Sequence, residues 1–234
     1  EAKWRIALVH KNVFSGSGHQ EDEETPLFRE TMLPIFKDCE IDLVLQGHDH
    51  CYEIIGPVNP DTRTPILDAI TDVEEVPVNM VNNMTGKKGG TFRVDDGTLY
   101  FIGATCGTKR YNPNHKLTME ADYEKHKVEN YYDLFTGMFG QPGRPSYSSF
   151  TVDGNTITVN SYKVYKDIDP VLFNTFYIKR TKEHNSGDRQ GPISLEQLIQ
   201  ENGTAKIIYD GSMFIVRENI AYNALGQIVF DKRN

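Results

Sequence analysis

The sequence has few cysteines. The chain of 234 residues contains three of them, Cys39, Cys51 and Cys106. An odd number cannot all pair within one chain, and no two are spaced as a Cys-x-x-Cys element. These spacings argue against a structural zinc site built from thiolates. We expect Cys106 to be a buried structural thiol rather than a nucleophile, because no histidine accompanies it in a recognisable local signature.

Long apolar runs and an excess of positive charge are also missing. No run approaches the roughly 18 apolar residues of a membrane span, so none is predicted. A formal net charge of -8 argues against nucleic acid as a partner, because proteins that bind it usually concentrate Lys and Arg on one face. A composition of 38% hydrophobic and 25% charged residues is that of a globular protein. A phosphate ligand would therefore need a metal ion or a local cationic pocket.

The first 50 residues follow a strand, helix, strand pattern. Residues Trp4–Val9 form a short apolar run with aromatic and branched members, which predicts a strand that ends before His10. Apolar residues at helical spacing over Thr25–Cys39 predict an amphipathic helix, with proline at its first position. Residues Ile41–Gln46 suit a second buried strand. If the two strands are parallel, His10 and His48 lie at the same edge of the sheet.

The middle of the chain is less regular. Residues Pro57–Gly97 are rich in Pro, Asp, Asn, Thr and Gly, which predicts long surface loops. A core strand is predicted over Thr98–Ala104 and a charged helix over Leu117–Tyr132. The alternating segments Tyr147–Val152 and Thr156–Val164 flank an Asp-Gly-Asn turn and predict a tight hairpin.

The end of the chain reads as a separate small module. A polar stretch over residues 182–192 indicates a linker between a first region, residues 1–181, and a second, residues 193–234. A short helix is predicted over Ser194–Glu201, which begins as a capping box. Two or three short strands are predicted over residues 205–230.

The tetrapeptide Gly47-His48-Asp49-His50 is the sharpest chemical feature. Two imidazoles two residues apart at a strand end can reach metal ions on either side of one turn, and glycine lets the backbone fold tightly there. Neutral imidazole suits Zn, Fe or Mn. Taken without its context, the same tetrapeptide could be two surface loop histidines.

Three segments together resemble a known family. They are Ala7-Leu8-Val9-His10, the loop that carries His19, and residues 44–53, which contain the tetrapeptide. They resemble the closing part of the catalytic domain of calcineurin-like metallophosphoesterases related to purple acid phosphatases, over about residues 3–58. The resemblance implies an α/β (α+β) fold: the C-terminal part of a metallophosphoesterase β-sandwich with flanking helices, followed by a small α+β appendage.

The resemblance also implies roles for four histidines. His10 and His48 would bind the second of two metal ions and His50 the first, the ions being Zn, Fe or Mn in the complete enzyme. The implied reaction is hydrolysis of phosphomonoesters or phosphodiesters by metal-activated hydroxide. His19 would be catalytic and protonate the leaving oxygen, as a general acid of near-neutral pKa can. The alternative interpretation is that His19 is a solvated loop histidine without a catalytic role.

The motifs that normally precede these segments are absent from the chain. We find no Asp-x-His near a strand, no Gly-Asp-x-x-Asp or Gly-Asp-x-x-Tyr, and no Gly-Asn-His-Glu or Gly-Asn-His-Asp. Those motifs supply the carboxylate that bridges the metals and much of the remaining ligand set. We therefore expect this chain to be a fragment of the catalytic domain and to be inactive or weakly active alone. Its expected partner is the N-terminal half of the same domain. The alternative is a non-catalytic binding or structural domain of an exported protein that retains the motif.

The remaining candidates are weaker. Three further histidines, His115, His126 and His184, stand in polar segments and are predicted to be solvated. Arg110 and Tyr111 are expected to be exposed loop residues. The tail from residue 206 to 230 resembles short C-terminal modules on exported proteins of some bacteria, which favours an extracytoplasmic location, periplasmic or secreted.

Overall fold

The computed structural model describes residues 3–76, 84, 86–113, 131–184, 205–209, 212–217, 220–223 and 227–231. The chain divides into two compact units, Glu1–His184 and Asn185–Asn234. Within the described part, no helix combines the length and the apolar character that crossing a membrane requires.

The first unit is built mainly from strands. Its regular elements in the described residues are β1 (Ile6–Leu8), α1 (Glu24–Asp38), β2 (Leu43–Leu45), β3 (Tyr52–Val58), β4 (Ile70–Glu75), β5 (Lys87–Arg93), β6 (Thr98–Gly103), β7 (Phe139–Gly140), β8 (Ser146–Asp153), β9 (Thr156–Lys163) and β10 (Val171–Lys179). Short 3₁₀ turns occupy Gly18–Glu21, Leu67–Ala69 and Tyr131–Leu134.

These strands form two five-stranded sheets. The first sheet has the order β1-β2-β6-β3-β7, in which β1, β2 and β6 are parallel and β3 is antiparallel to both of its neighbours, β6 and β7. The second sheet has the order β4-β5-β10-β9-β8 and is antiparallel except for the pairing of β5 with β10. The predicted strand, helix, strand sequence is confirmed, and the two strands are parallel, in the register Ala7 to Val44.

The first sheet is buried on both faces at its central strands. Neighbouring residues of one strand, such as Leu43 and Val44 in β2, belong to two different clusters of the core. One cluster fills the space between the sheets, where Phe101 of β6 meets Phe176 of β10. The other packs α1, through residues such as Phe36, against the opposite face. Because both faces are covered, its central strands are almost continuously apolar. The expected α/β class, a β-sandwich with a flanking helix, is confirmed.

Two of the expected loops are strands. The prediction of long loops over Pro57–Gly97 is wrong for β4 and β5, which are paired with each other, and β5 also pairs with β10. Strand β5 begins Lys-Lys-Gly-Gly, a polar sequence that shows no apolar alternation. At Gly90, φ is +107° and an added Cβ would lie 2.8 Å from the Val73 side chain. The close approach of β4 therefore requires the glycine that hides the strand in the sequence.

Other predictions can be compared with the structure directly. The strand over Thr98–Ala104 is confirmed by β6. The hairpin is confirmed by β8 and β9, which are joined at a two-residue loop where Gly154 has φ +53°. The helices predicted over Leu117–Tyr132 and Ser194–Glu201 lie largely outside the described residues, as does most of the linker.

The tail contains more strands than expected. The described part of the second unit forms an antiparallel sheet in the order β11-β12-β13-β14, four strands rather than two or three. The strands are β11 (Ala205–Tyr209), β12 (Ser212–Arg217), β13 (Ile220–Asn223) and β14 (Ile228–Asp231). They are only four to six residues long, which blurs the boundaries between neighbouring strands in the sequence.

The prediction that His184 is solvated is wrong. Only 6% of the residue is exposed. Its Nδ1 lies 3.2 Å from Glu40 Oε2 and its Nε2 lies 3.1 Å from Asp42 Oδ2. Arg180 approaches the same Asp42 carboxylate at 2.6 Å. These acids precede or begin the second strand, about 140 residues earlier in the chain, so the polar sequence around His184 gives no sign of them. His115 and His126 lie outside the described residues.

Asp95 fastens the loop after β5 to the end of β10. Its carboxylate accepts hydrogen bonds from the Thr181 hydroxyl at 2.6 Å and from the backbone amides of Thr181 and Lys182 at 2.7 and 2.9 Å. Burial pushes the pKa of Asp95 upward, but these hydrogen bonds outweigh burial and hold the pKa below its ordinary value. The ionised carboxylate is thus the form that stabilises the fold.

We therefore expect Asp95→Ala to lower the free energy of unfolding by about 1–3 kcal/mol at pH 7. Because the folded-state pKa is lowered, the stabilisation is complete above about pH 4, the ordinary aspartate value, and is lost as pH falls through the lowered value. The difference in the free energy of unfolding between Asp95→Ala and the unaltered chain should therefore become smaller as pH falls. Chemical unfolding followed by fluorescence of Trp4, the single tryptophan, measures it. Asp61→Ala removes an exposed partner of Lys37 and should change stability by less than about 0.5 kcal/mol.

Candidate metal centre

The pairing of β1 with β2 continues beyond the strands and joins the two histidine-bearing segments. The Val9 amide donates to the Leu45 carbonyl at 2.9 Å, and the Gly47 amide donates to the His10 carbonyl at 3.1 Å. A Cβ on Gly47 would lie 3.4 Å from that same His10 oxygen. The turn then places His48 at φ +70°, in the left-handed region. His10 and His48 therefore meet at the carboxyl edge of the first sheet.

Three of the four histidines singled out in the sequence have neighbouring rings. The ring centroids of His10 and His48 are 5.3 Å apart, and those of His19 and His48 are 4.0 Å apart. Burial lowers the pKa of His48, and the nearby imidazoles of His19 and His10 lower it further. A lowered pKa favours the neutral imidazole, which is the form that binds a metal ion.

His50 is connected to this cluster through Tyr111. The two rings stack with centroids 4.7 Å apart, and the Tyr111 ring also lies edge-on to His19 at 5.2 Å. His50 Nδ1 is 3.0 Å from the carbonyl of Lys109, which can only accept, so Nδ1 carries the proton. This tautomer leaves Nε2 free to act as a ligand. Tyr111, expected to be an exposed loop residue, is half-buried here, while Arg110 is exposed as expected.

Asp22 is a member of the site that sequence reasoning missed. Its Oδ2 lies 2.8 Å from His19 Nδ1. Among the described residues, His19, Asp22 and His48 form a group whose ligand atoms all lie within 4.8 Å of one another. Two imidazole nitrogens and a carboxylate oxygen are a donor set that suits Zn, Fe or Mn. The signal for Asp22 was the acidic stretch that follows His19, which contributes a carboxylate three residues later in the chain.

Buried polar contacts anchor the loop between β1 and α1. The Gln46 side chain accepts from the Val13 amide at 2.8 Å and donates to the Phe14 carbonyl. The Tyr131 hydroxyl accepts from the Ser15 amide at 2.9 Å and donates to the Ser15 carbonyl at 3.0 Å. The loop that carries His19 is thus held from the β2 side and from the distant Tyr131.

A buried cation supports the same loop. Arg29, fully buried in α1, donates from Nε to the Val13 carbonyl at 2.8 Å and lies over the rings of Phe14 and Tyr131. Burial lowers the pKa of Arg29. The aromatic faces and the carbonyl stabilise a charge that would otherwise be costly to bury.

The thiols near the site have different environments. Cys51 is fully buried, burial raises the pKa of its thiol, and the thiol donates to the Tyr111 carbonyl at 3.2 Å. The prediction that Cys106 is buried is wrong, since this residue is exposed and its thiol contacts the Ser146 carbonyl at 3.3 Å. Strand β6 ends at Gly103, so Cys106 stands in the surface loop beyond it, where the residue is exposed.

Comparisons with known proteins found similarity over part of the sequence. No protein-family model matches the chain. An uncharacterized protein of Mycobacterium tuberculosis is 30% identical over 105 residues, which are 43% of this chain and 20% of that protein. Purple acid phosphatase 3 of Arabidopsis thaliana is 38% identical over 62 residues, which are 26% of this chain and 16% of that protein.

A solved structure was also found. The purple acid phosphatase isolated from yellow lupin (Lupinus luteus) seeds has a TM-score of 0.47 and 17% sequence identity, over 76% of this chain and 25% of its own. The chain spans about a fifth of the length of the curated relatives it matches. Part of its sequence is therefore similar to a purple acid phosphatase, and the assignment of His10, His48 and His50 to metal binding and of His19 to catalysis stays a prediction.

We expect Asp22→Asn to weaken binding of Zn²⁺ to this chain by about tenfold or more, because it removes the charged oxygen of the group. Isothermal titration calorimetry at constant pH measures the affinity. Glu24→Gln is the matched control: it removes one negative charge from the same acidic stretch, but Glu24 is exposed, pairs with Lys11 and lies outside the group. Equal affinities for the unaltered chain and the Asp22 variant would exclude Asp22 from the site.

Proposed function

We propose that this chain is part of a dinuclear-metal phosphoesterase of the calcineurin-like kind, related to purple acid phosphatases, which hydrolyses phosphomonoesters or phosphodiesters. The observation that carries the proposal is the convergence of His10, His19 and His48 at one sheet edge, in segments whose sequence resembles that family. The proposal includes an extracytoplasmic location, which rests on the resemblance of the tail to modules of exported proteins.

Each histidine has a defined role in the proposed enzyme. His10 and His48 hold the second metal ion, and His50 holds the first through Nε2, since its Nδ1–H donates to the Lys109 carbonyl. When bound, the ions would supply Lewis-acid chemistry, polarising phosphate oxygens and lowering the pKa of water. The histidines keep these positions because the strands, Tyr111 and the buried polar contacts fix their segments.

His19 acts on the leaving group. Asp22 accepts a hydrogen bond from His19 Nδ1 and so orients the ring, leaving Nε2 to donate a proton to the departing oxygen. Holding a metal ion and donating this proton exclude each other, because a ligating imidazole nitrogen carries no proton. In this proposal, His19 and Asp22 serve as ligands in the isolated chain and as an acid with its orienting carboxylate in the completed site.

An exposed edge of the first sheet supports a partner segment. Among the described strands, β1 lies at the edge of this sheet, and its apolar residues Leu8 and Ile6 are 82% and 45% exposed. An exposed apolar edge is a surface on which a further strand pairs readily. The proposed partner is the N-terminal half of the same catalytic domain, which in this family supplies the missing carboxylate motifs. We therefore expect this chain alone to be weakly active or inactive.

The decisive experiment compares this chain with the same chain extended by the residues encoded ahead of Glu1. Both are assayed with p-nitrophenyl phosphate and bis-p-nitrophenyl phosphate in the presence of Zn²⁺, Mn²⁺ or Fe³⁺. We expect metal-dependent turnover from the extended polypeptide and little from this chain. In the extended form, alanine at His10, His48 or His50 should lower kcat by about 100-fold or more. His115→Ala, at a histidine outside the proposed set, is the control.

Each outcome separates the alternatives. Strong turnover by this chain alone would overturn the proposal that it needs a partner segment. An extended polypeptide that carries the carboxylate motifs and remains inactive would overturn the proposal that this chain is part of an active phosphoesterase. An upstream sequence without those motifs would favour the non-catalytic binding or structural domain.

The role of His19 can be tested through the leaving group. His19→Asn should lower kcat of the extended enzyme by about 10²–10⁴-fold for an alkyl phosphate, whose leaving alkoxide needs a proton. The loss should be much smaller for p-nitrophenyl phosphate, whose leaving group departs as a stable anion. Steady-state kinetics with the two substrates gives the ratio. An equal loss with both would assign His19 to binding rather than to proton donation.

A further inference from the structure

Two carboxylates lie fully buried beneath the histidine cluster, with one serine hydroxyl between them. Ser15 Oγ is 2.5 Å from Asp49 Oδ2 and 3.1 Å from Glu53 Oε1, and none of these three residues has exposed surface. Two ionised carboxylates around one hydroxyl, far from water, would repel each other strongly. The hydrogen-bond donors around them therefore decide how many protons the group holds.

The hydroxyl of Ser15 can donate one hydrogen bond and accept two. The Ser17 amide already donates to Ser15 Oγ at 3.1 Å. The single hydroxyl proton can serve only one of the two carboxylates. The contact with the other carboxylate needs a proton from that carboxyl group, which Ser15 Oγ accepts with its second lone pair.

The remaining contacts indicate which carboxyl group keeps this proton. Both oxygens of Asp49 face donors, because Oδ2 accepts from the Ser15 hydroxyl and Oδ1 from the His19 amide at 3.4 Å. Among the described residues, the amide that Glu53 meets is that of Gly16, 3.1 Å from Oε2, so Oε1 can carry a proton toward Ser15. Burial raises the pKa of Glu53 well above its ordinary value, and the charge of Asp49 raises it further.

We propose that Glu53 is a positioning residue that acts as a neutral hydrogen-bond donor and, through Ser15 and Asp49, ties the His19 loop to the turn carrying His48 and His50. Glu53 belongs to β3, inside the first sheet, and so provides a rigid base. Asp49 stands between the two histidines of the turn, and its other oxygen holds the His19 amide. The inference deepens the proposed function, because it concerns the support of the same histidines.

The test compares two variants of Glu53. In Glu53→Gln, the amide NH₂ donates to Ser15 and the amide oxygen accepts from Gly16, so every hydrogen bond is kept. Glu53→Met keeps the length of the side chain and removes both hydrogen bonds.

Amide hydrogen exchange and imidazole NMR resonances of this chain are the measurements. In Glu53→Gln, we expect exchange of the Gly16 and His19 amides to stay within about threefold of the unaltered chain and the His19 and His48 ring resonances to stay in place. In Glu53→Met, exchange of at least one of these amides should accelerate about tenfold or more and the ring resonances should shift. Equal effects of Glu53→Gln and Glu53→Met would overturn the proposal.

A measurement on the unaltered chain tests the proposal even where a variant fails to fold. The ¹³C resonance of the Glu53 carboxyl group, assigned by its absence from Glu53→Gln, should have the shift of a protonated acid at pH 7. The shift of an ionised carboxylate would overturn the inference. Neither measurement uses metal or turnover, so an inactive phosphatase would leave this proposal standing, and a charged Glu53 would leave the proposed function standing.

Discussion

The site depends on the parallel pairing of β1 with β2. Two strands that run in the same direction end at the same edge of a sheet, and here the hydrogen bonds continue two residues beyond them, to the amide of Gly47. That last bond brings the backbone of the His48 turn against the backbone of His10. The histidines therefore meet because of strand direction and this continued backbone pairing, before any attraction between the rings.

Most of the contacts that hold the site in place are hydrogen bonds buried beneath the histidines. The loop that carries His19 donates and accepts hydrogen bonds through its backbone, to Gln46 from β2's end, to Tyr131 and to the carboxyl groups of Asp49 and Glu53. In a dry interior each such bond is stronger than at the surface, and each unpaired group is costly. Buried hydrogen bonds beneath the partly exposed histidines thus hold their segments in place. These hydrogen bonds restrict the positions of the histidines without occupying their ligand atoms.

The sequence predicted the parts of this arrangement whose partners are close together along the chain. It did not predict contacts between residues that are far apart in the sequence. The apolar runs around β1, α1 and β2 and the Gly-His-Asp-His turn are local patterns, and they placed His10 and His48 at one edge correctly. Tyr111, about 60 residues from His50, and His184, about 140 residues from Glu40, meet their partners only through tertiary packing, and no local pattern announces this. Strand β5 was missed because two glycines interrupt its pattern, and one of them, Gly90, is required by the close approach of β4.

His48 has a left-handed backbone conformation, which is uncommon for residues other than glycine. Holding a residue there costs on the order of 1 kcal/mol, which the surrounding sheet must offset. If the imidazole at this position had no use, a change to glycine would relieve the strain at no chemical loss. If His48 has the metal-binding role proposed above, related chains that keep that role should retain a histidine in this conformation, and chains that have lost the role are free to carry glycine or asparagine here.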